Sequence, residues 1–187
     1  DAIISEKDKN HPNFDGAVVI KPKKTLITGA NGQLGRALAA LYPDADCVDR
    51  DSLDISDRDA VEQARRWRDY GLILNAAAYT AVDKAESEVG QAHRLNAEAP
   101  GVLAQAAHEV GAWLVHYSTD YVFNGSGHAP WREGDATGPL NAYGLAKLEG
   151  EQRILQSCRQ HLILRTSWVY AARGGNFAKT MLRLAQE

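Results

Sequence analysis

Thr25-Leu26-Ile27-Thr28-Gly29-Ala30-Asn31-Gly32-Gln33-Leu34-Gly35 is the stretch that decides how this chain is read. Four residues suited to a buried strand run into glycines at i, i+3 and i+6, and an Ala/Leu-rich helical run from Arg36 to Leu41 follows. The order is strand, tight turn, helix. A side chain at Gly29 or Gly32 would hold a bulky anion away from the backbone, and Gly35 lets the helix approach the strand. A diphosphate then fits the helix N-terminus, where free N–H groups and the positive end of the helix dipole favour negative charge. Glycine turns between strand and helix also occur without any ligand, so the rest of the chain has to decide.

At 187 residues the chain suits one domain, or one with a partial second, and can bury a sizeable core. Net charge is 21 minus 24, or -3, with the basic residues scattered, which argues against nucleic acid as a partner. Cys47 and Cys158 lie far apart with no metal-type spacing, so neither a disulfide framework nor a zinc site is indicated and a reducing, cytoplasmic setting fits. No apolar run approaches the length of a membrane span and no signal peptide is evident, which points to a soluble protein. The chain begins with Asp1 rather than Met and stops at Glu187 inside a helical run without a stop signal, the pattern expected of a fragment.

Residues 1–24 are polar and turn-rich, with Pro12, Gly16 and Pro22, and read as a linker or tail in which only Ala17 to Ile20 suits a strand. Residues 24–187 read as one dinucleotide-binding unit, incomplete at its end. Asp46 to Asp49 is a second strand, and Asp49 lies twenty positions after Gly29, where such a unit places an acid for the adenosine ribose hydroxyls. A solvated strand-end Asp explains it equally. Arg50 suits a 2′-phosphate, so NADPH and NADH both stay open. Asp54 faces two readings, a contact to the adenine edge or, like Ser56, a cap for the next helix.

That helix is expected over Asp57 to Tyr70 from the spacing of Val61, Ala64 and Trp67, and Leu72 to Asn75 is a third strand. The small residues Ala76 to Ala78 after it leave room for a ligand or simply pack closely. Val89 to Val110 reads as a long helix containing Asn96, Trp113 to Ser118 as a strand, Pro139 to Ser157 as a helix, His161 to Arg165 as a strand and Asn176 to Glu187 as a helix. Strands alternating with helices predict an α/β fold, a doubly wound parallel sheet of Rossmann type covered on both faces.

Tyr143 and Lys147 stand at i and i+4, one helical turn apart. A free phenol titrates near ~10, and a nearby cation is expected to lower it towards working pH, so that Tyr143 can hand a proton to a carbonyl oxygen. Lys147 would also hold a nicotinamide ribose. A plain surface pair is the competing reading, and what weighs against it is company: Thr119 ends the fourth strand on the same carboxyl edge as the glycine turn and can donate a second hydrogen bond to a developing oxyanion.

Thr28-Gly-x-x-Gly-x-x-Gly35, Asn75-Ala-Ala-Ala-Tyr-Thr-Ala-Val-Asp83, Ser118-Thr-Asp-Tyr-Val-Phe123, Tyr143-x-x-x-Lys147 and Arg165-Thr-Ser-Trp-Val-Tyr170 resemble, in order and spacing, the extended short-chain dehydrogenase/reductases. Within them the likeness is to the dTDP-4-dehydrorhamnose reductases, over about Lys24 to Glu187. The resemblance implies NADPH- or NADH-dependent reduction of the C4 ketone of dTDP-4-dehydro-L-rhamnose, giving dTDP-L-rhamnose for surface polysaccharide. It makes Tyr143 the proton donor, Lys147 its partner and Thr119 the second carbonyl contact. It places Gly29, Gln33, Leu34, Ala76 and Ala77 on the cofactor, joined by Asn31, Gly32 and Gly35 of the same turn, and Val82, Asp83, Asp120, Tyr121 and Trp168 on the sugar nucleotide.

Sugar-nucleotide 4,6-dehydratases of the same superfamily carry an Asp-Glu pair after the catalytic Thr, whereas Asp120 is followed here by Tyr121, which leaves an elimination without one of its carboxyl groups. Some members bind magnesium through a Glu two positions after the last glycine; Ala37 stands there, so no metal is expected. The family also continues with a sixth strand and a substrate domain. Ile4-Ser-Glu-Lys-Asp-Lys9 and Pro12 are similar to the tail of dTDP-4-dehydrorhamnose 3,5-epimerase, which would make the parent an epimerase–reductase fusion, with a solvated charge run as the other reading. The alternatives to a reductase of this substrate are a non-catalytic dinucleotide-binding regulatory subunit and another sugar-nucleotide reductase or epimerase of the superfamily. A homodimer is left open.

Overall fold

The period-two alternation of the first strand puts Leu26 on one face of a sheet and Ile27 on the other, and both are buried. The computed structural model describes residues 23–63, 65–172 and 176–186. In chain order these form β1 (Lys24–Thr28), α1 (Gln33–Leu41), β2 (Asp46–Val48), α2 (Arg58–Gln63), a 3₁₀ turn (Arg65–Asp69), β3 (Tyr70–Asn75), α3 (Val82–Ala85) and α4 (Val89–His93). A π-helical turn (Arg94–Glu98), α5 (Ala99–Val110), β4 (Trp113–Thr119), a second 3₁₀ turn (Asp120–Val122), α6 (Ala142–Ser157), β5 (His161–Thr166) and α7 (Phe177–Leu184) follow. Every strand pairing is parallel and the order is β2-β1-β3-β4-β5, the doubly wound sheet that the alternation predicts. The chain leaves β1 to one side for β2 and to the other for β3, so the topological switch, and with it the ligand crevice of such sheets, lies at the carboxyl ends of β1 and β3.

Leu26, Ile73 and Leu114 of three adjacent strands point to one face, where Val61, Trp67, Leu103, Ala104, Ala107 and Ile154 cover them from α2, the 3₁₀ turn, α5 and α6. Ile27 and Leu74 point to the other face, under Leu34 and Leu38 of α1. That second face is covered only in part among the described residues. Leu162 and Leu164 of β5 lie in register with Val115 and Tyr117 and stay 48% and 37% exposed, so full cover of both faces does not hold at this edge.

Four expected elements are redrawn. The helix of Asp57 to Tyr70 ends at Gln63 and gives way to the 3₁₀ turn, because Tyr70 is drawn into β3, where its hydroxyl donates to Asp46 Oδ2 at 2.8 Å. Its cap is Asp57, whose Oδ1 accepts the Ala60 N–H at 3.0 Å; Asp54 and Ser56 bond each other instead. The long helix from Val89 widens at Arg94–Glu98, since Pro100 lacks the N–H that would bond the Asn96 carbonyl. The helix expected from Pro139 begins at Ala142, capped by Asn141 Oδ1 accepting from Gly144 N at 2.7 Å, and the last begins at Phe177, capped by Asn176. The linker of residues 1–22, its strand at Ala17 to Ile20 and Ala64 lie outside the described residues.

Candidate active site

Gly29 has φ +67°, and a Cβ there would stand 2.6 Å from the Ala77 backbone nitrogen. A Cβ at Gly35 would stand 2.2 Å from the Gly29 carbonyl oxygen. Both positions are therefore fixed by backbone against backbone: Gly29 makes room for the end of β3, and Gly35 for the turn itself, as expected of the helix approach. Gly32 caps α1 at φ −71°, with no side chain capping the helix and no acid in its first turn, so an anion meets no competitor there.

At the tip of β2, Asp49 is committed to its own turn. Its Oδ1 accepts from Asp51 N, Ser52 N and Ser52 Oγ, and its Oδ2 from Asn31 Nδ2; these bonds hold its carboxyl below the usual range. Asp54 takes the Ser56 hydroxyl at 2.6 Å, which with the Arg50 guanidinium 3.6 Å away lowers its carboxyl too. Arg50 itself is mostly exposed at the rim.

The opposite wall is made by the end of β4 and the start of α6. Thr119 Oγ1 accepts from Tyr121 N and donates to Asp120 Oδ1, each at 3.2 Å, while Asp120 Oδ2 accepts the Ser167 hydroxyl at 2.7 Å. Tyr121 and Tyr143 meet edge to face with ring centres 5.8 Å apart. The Tyr143 phenol is pushed up, first by burial, with Asp120 and Tyr121 adding to this and Thr119 pulling the other way. The expected lowering by a nearby cation is thus overturned. Lys147 turns from the phenol towards β4, where Nζ donates to the Tyr117 carbonyl at 2.7 Å and meets His116 Nε2 at 3.1 Å. Burial lowers Lys147 to about 8, against the opposing charge of Glu151.

A buried polar layer beneath these residues escaped the sequence reading. Thr28 Oγ1 donates to Asn75 Oδ1 at 2.7 Å, Asn75 Nδ2 meets His116 Nδ1 at 3.0 Å, and Glu151 holds Arg165 through two oxygens, with a shortest contact of 2.7 Å. Asn96, in the π turn, clasps the Tyr79 backbone by accepting from its N–H and donating to its carbonyl, both at 2.9 Å. The available signal was the buried stripe of α6, which reads Gly144, Lys147, Gly150, Glu151 and Ile154, a core face with two charges in it.

Between the walls opens a cleft of about 890 Å³. It brings together Gly29, Asn31, Gly32, Gln33, Leu34, Asp49, Arg50, Asp54, Ala76 and Ala77 with Val82, Thr119, Asp120, Tyr121, Tyr143, Lys147 and Trp168. Gly35 lies buried beneath it, and Asp83 is exposed on α3 outside the lining. Trp168 sits at the rim with φ 52°, a backbone region rare for a bulky side chain, and packs edge to face on Phe177. Leu53, Leu95 and Tyr117 line the cleft as well and carry no sequence motif of their own that would have marked them, and Thr166 and Ser167 line it beside Trp168, inside the motif that had singled out only the tryptophan.

The chain is 52% identical over 169 residues to the dTDP-4-dehydrorhamnose reductase of Shigella flexneri, a match covering 87% of this chain and 56% of that protein. Its fold superposes on a dTDP-4-dehydrorhamnose reductase from Clostridium acetobutylicum with a TM-score of 0.82 at 42% identity, over 87% of this chain and 59% of that one. A dTDP-4-dehydrorhamnose reductase from Bacillus anthracis in complex with NADP gives a TM-score of 0.82 at 39% identity, over 89% and 60%. The chain thus spans a little over half the length of the relatives it matches. The family model described as RmlD substrate binding domain matches residues 23–187, and the chain belongs to that family.

Proposed function

We propose that this chain is the dinucleotide-binding part of an NADPH- or NADH-dependent reductase acting on the C4 ketone of dTDP-4-dehydro-L-rhamnose, with Thr119, Tyr143 and Lys147 as its catalytic residues. The supporting observation is that one cleft holds these three on one wall and the glycine turn on the other. The names of the relatives, all dTDP-4-dehydrorhamnose reductases, support the substrate, and the NADP of the Bacillus anthracis structure supports the cofactor. A dinucleotide suits the residues present: the uncapped start of α1 and Gly32 would take its diphosphate, Arg50 a 2′-phosphate, and Lys147 a ribose. When bound, the reduced nicotinamide supplies hydride.

The protein's part is the proton and the oxygen. Burial keeps the Tyr143 phenol protonated through the neutral range, which suits a general acid that must give its proton to the carbonyl oxygen. Thr119 offers that oxygen a second hydrogen bond once its hydroxyl swings from Asp120, and Asp120 is steadied by Ser167 meanwhile. Only one carboxylate follows Thr119, so the site lacks the acid–base pair that an elimination needs.

Calorimetric titration of this chain with NADPH and with NADH is expected to give heat with at least one. In the full reading frame, Tyr143→Phe should cut turnover of dTDP-4-dehydro-L-rhamnose by about 10²-fold or more while cofactor affinity stays unchanged. No heat with either dinucleotide, or undiminished turnover, overturns the assignment. A non-catalytic regulatory subunit would bind the dinucleotide and show no turnover in the wild type.

A further inference from the structure

His116 on β4 is completely buried, and its two ring nitrogens join different elements: Nδ1 meets Asn75 Nδ2 at 3.0 Å and Nε2 meets Lys147 Nζ at 3.1 Å. The proton on such a ring is settled by its neighbours. Asn75 Oδ1 accepts from Thr28 Oγ1 at 2.7 Å and from the Ala77 N–H at 3.2 Å, so the Asn75 amide cannot turn over without setting N–H against N–H at Ala77. Its NH₂ group therefore faces His116 Nδ1, which must accept. A neutral imidazole then carries its proton on Nε2, the nitrogen that faces Lys147.

We propose that His116 is a positioning residue for Lys147: Asn75 fixes the imidazole with its proton on Nε2, and once Lys147 has given up its own proton that N–H is donated to its Nζ, which receives it as an uncharged amine. The inference deepens the reductase reading, on which it rests for the role of Lys147 in the reaction. The amine accepts from His116 with its lone pair, donates one N–H to the Tyr117 carbonyl and keeps the other. An ammonium in the same place would set donor against donor.

The other ionisable groups around Lys147 are Tyr143 and Glu151 on its own helix, and Arg165 on β5 is tied to Glu151. Asp120 and Tyr121 act on Tyr143, while His93 of α4 pairs with Glu98 and with Glu149 of α6, away from the cleft. Burial first of all keeps His116 uncharged, with the Lys147 charge adding to this at lower pH, and Lys147 is pushed down to about 8, so the amine that can accept from His116 is the form present above that pH.

The test is a long-range proton–nitrogen correlation spectrum of the ¹⁵N-labelled chain at pH 9, with His116 assigned by its loss in His116→Gln. A protonated Nε2 and bare Nδ1 are expected; a proton on Nδ1 overturns the proposal. Asn75→Asp replaces the donor by an acceptor, so the ring proton should move to Nδ1 and Lys147 should stay charged to a proton concentration at least tenfold lower, read from its ¹³Cε shift against pH. An unmoved lysine titration also overturns it. Should Asn75→Asp not fold, the wild-type spectrum decides alone. No cofactor or substrate enters these measurements, so failure of the reductase reading, seen in turnover, is distinct from failure here.

Discussion

A lysine buried in a core is a cost that pH can lift. Lys147 is 1% exposed and titrates at about 8 in the fold against 10.5 ordinarily, which corresponds to about 3 kcal/mol of folding free energy withheld below pH 8. The sign follows from proton counting: between pH 8 and 10.5 the unfolded chain still holds a proton on this lysine that the folded chain has lost, so its contribution to stability rises with pH across that window. The buried phenols Tyr117 and Tyr143, pushed up, act oppositely at the alkaline end, so the difference between wild type and Lys147→Met isolates the lysine. Urea unfolding is expected to show Lys147→Met more stable at pH 7 by up to about 3 kcal/mol and the gap closing by pH 10.5. A constant gap would place the lysine's charge in water. Spacing made Tyr143 and Lys147 legible as a pair, and strand order together with the family resemblance added Thr119, but the direction of the phenol's shift was legible in none of these. Spacing puts two side chains on one face of a helix and does not say that His116 and the Tyr117 carbonyl, on another element, draw the lysine aside.

Helix α6 carries this lysine into place by close approach. A Cβ at Gly150 would stand 2.1 Å from the Asn96 carbonyl oxygen and one at Gly144 2.3 Å from that of Tyr121, so the helix rests directly on the π turn and the second 3₁₀ turn. Helix propensity alone makes Gly150→Ala stabilising by up to ~1 kcal/mol, whereas forcing a methyl against backbone costs ~1–3 kcal/mol. The neighbour is a main-chain carbonyl rather than a flexible side-chain end, so the clash should win and chemical denaturation should show Gly150→Ala net destabilised by ~1 kcal/mol or more. A more stable variant would mean that α6 and the π turn part easily. Strands were readable to within two residues, the larger miss being the start of β3 at Tyr70, because burial on two faces demands continuous apolar runs. The helices were less so, since caps such as Asp57 and Asn141 and the break before Pro100 depend on which N–H finds a side chain.

The two walls of the cleft belong to different halves of the sheet, the glycine turn to β1 and α1, the reacting residues to β4 and α6. Between them stands β3, whose Asn75 bonds Thr28 on one side and meets His116 on the other, so the halves share one buried polar seam and one apolar core. The alternation of strands and helices made this architecture legible, while the seam stayed hidden because its members are scattered over three strands. A ligand that spans both walls should therefore stabilise the molecule as one unit. NADPH at a hundred times its dissociation constant adds about 2.7 kcal/mol, or about 5–10 °C in Tm for a domain of this size. Far-UV circular dichroism should follow the same transition as tryptophan fluorescence, which draws on Trp67 in the core and Trp168 at the rim. A rise in the fluorescence midpoint without an equal rise in the dichroism midpoint would show that the walls melt separately and that the seam does not couple them.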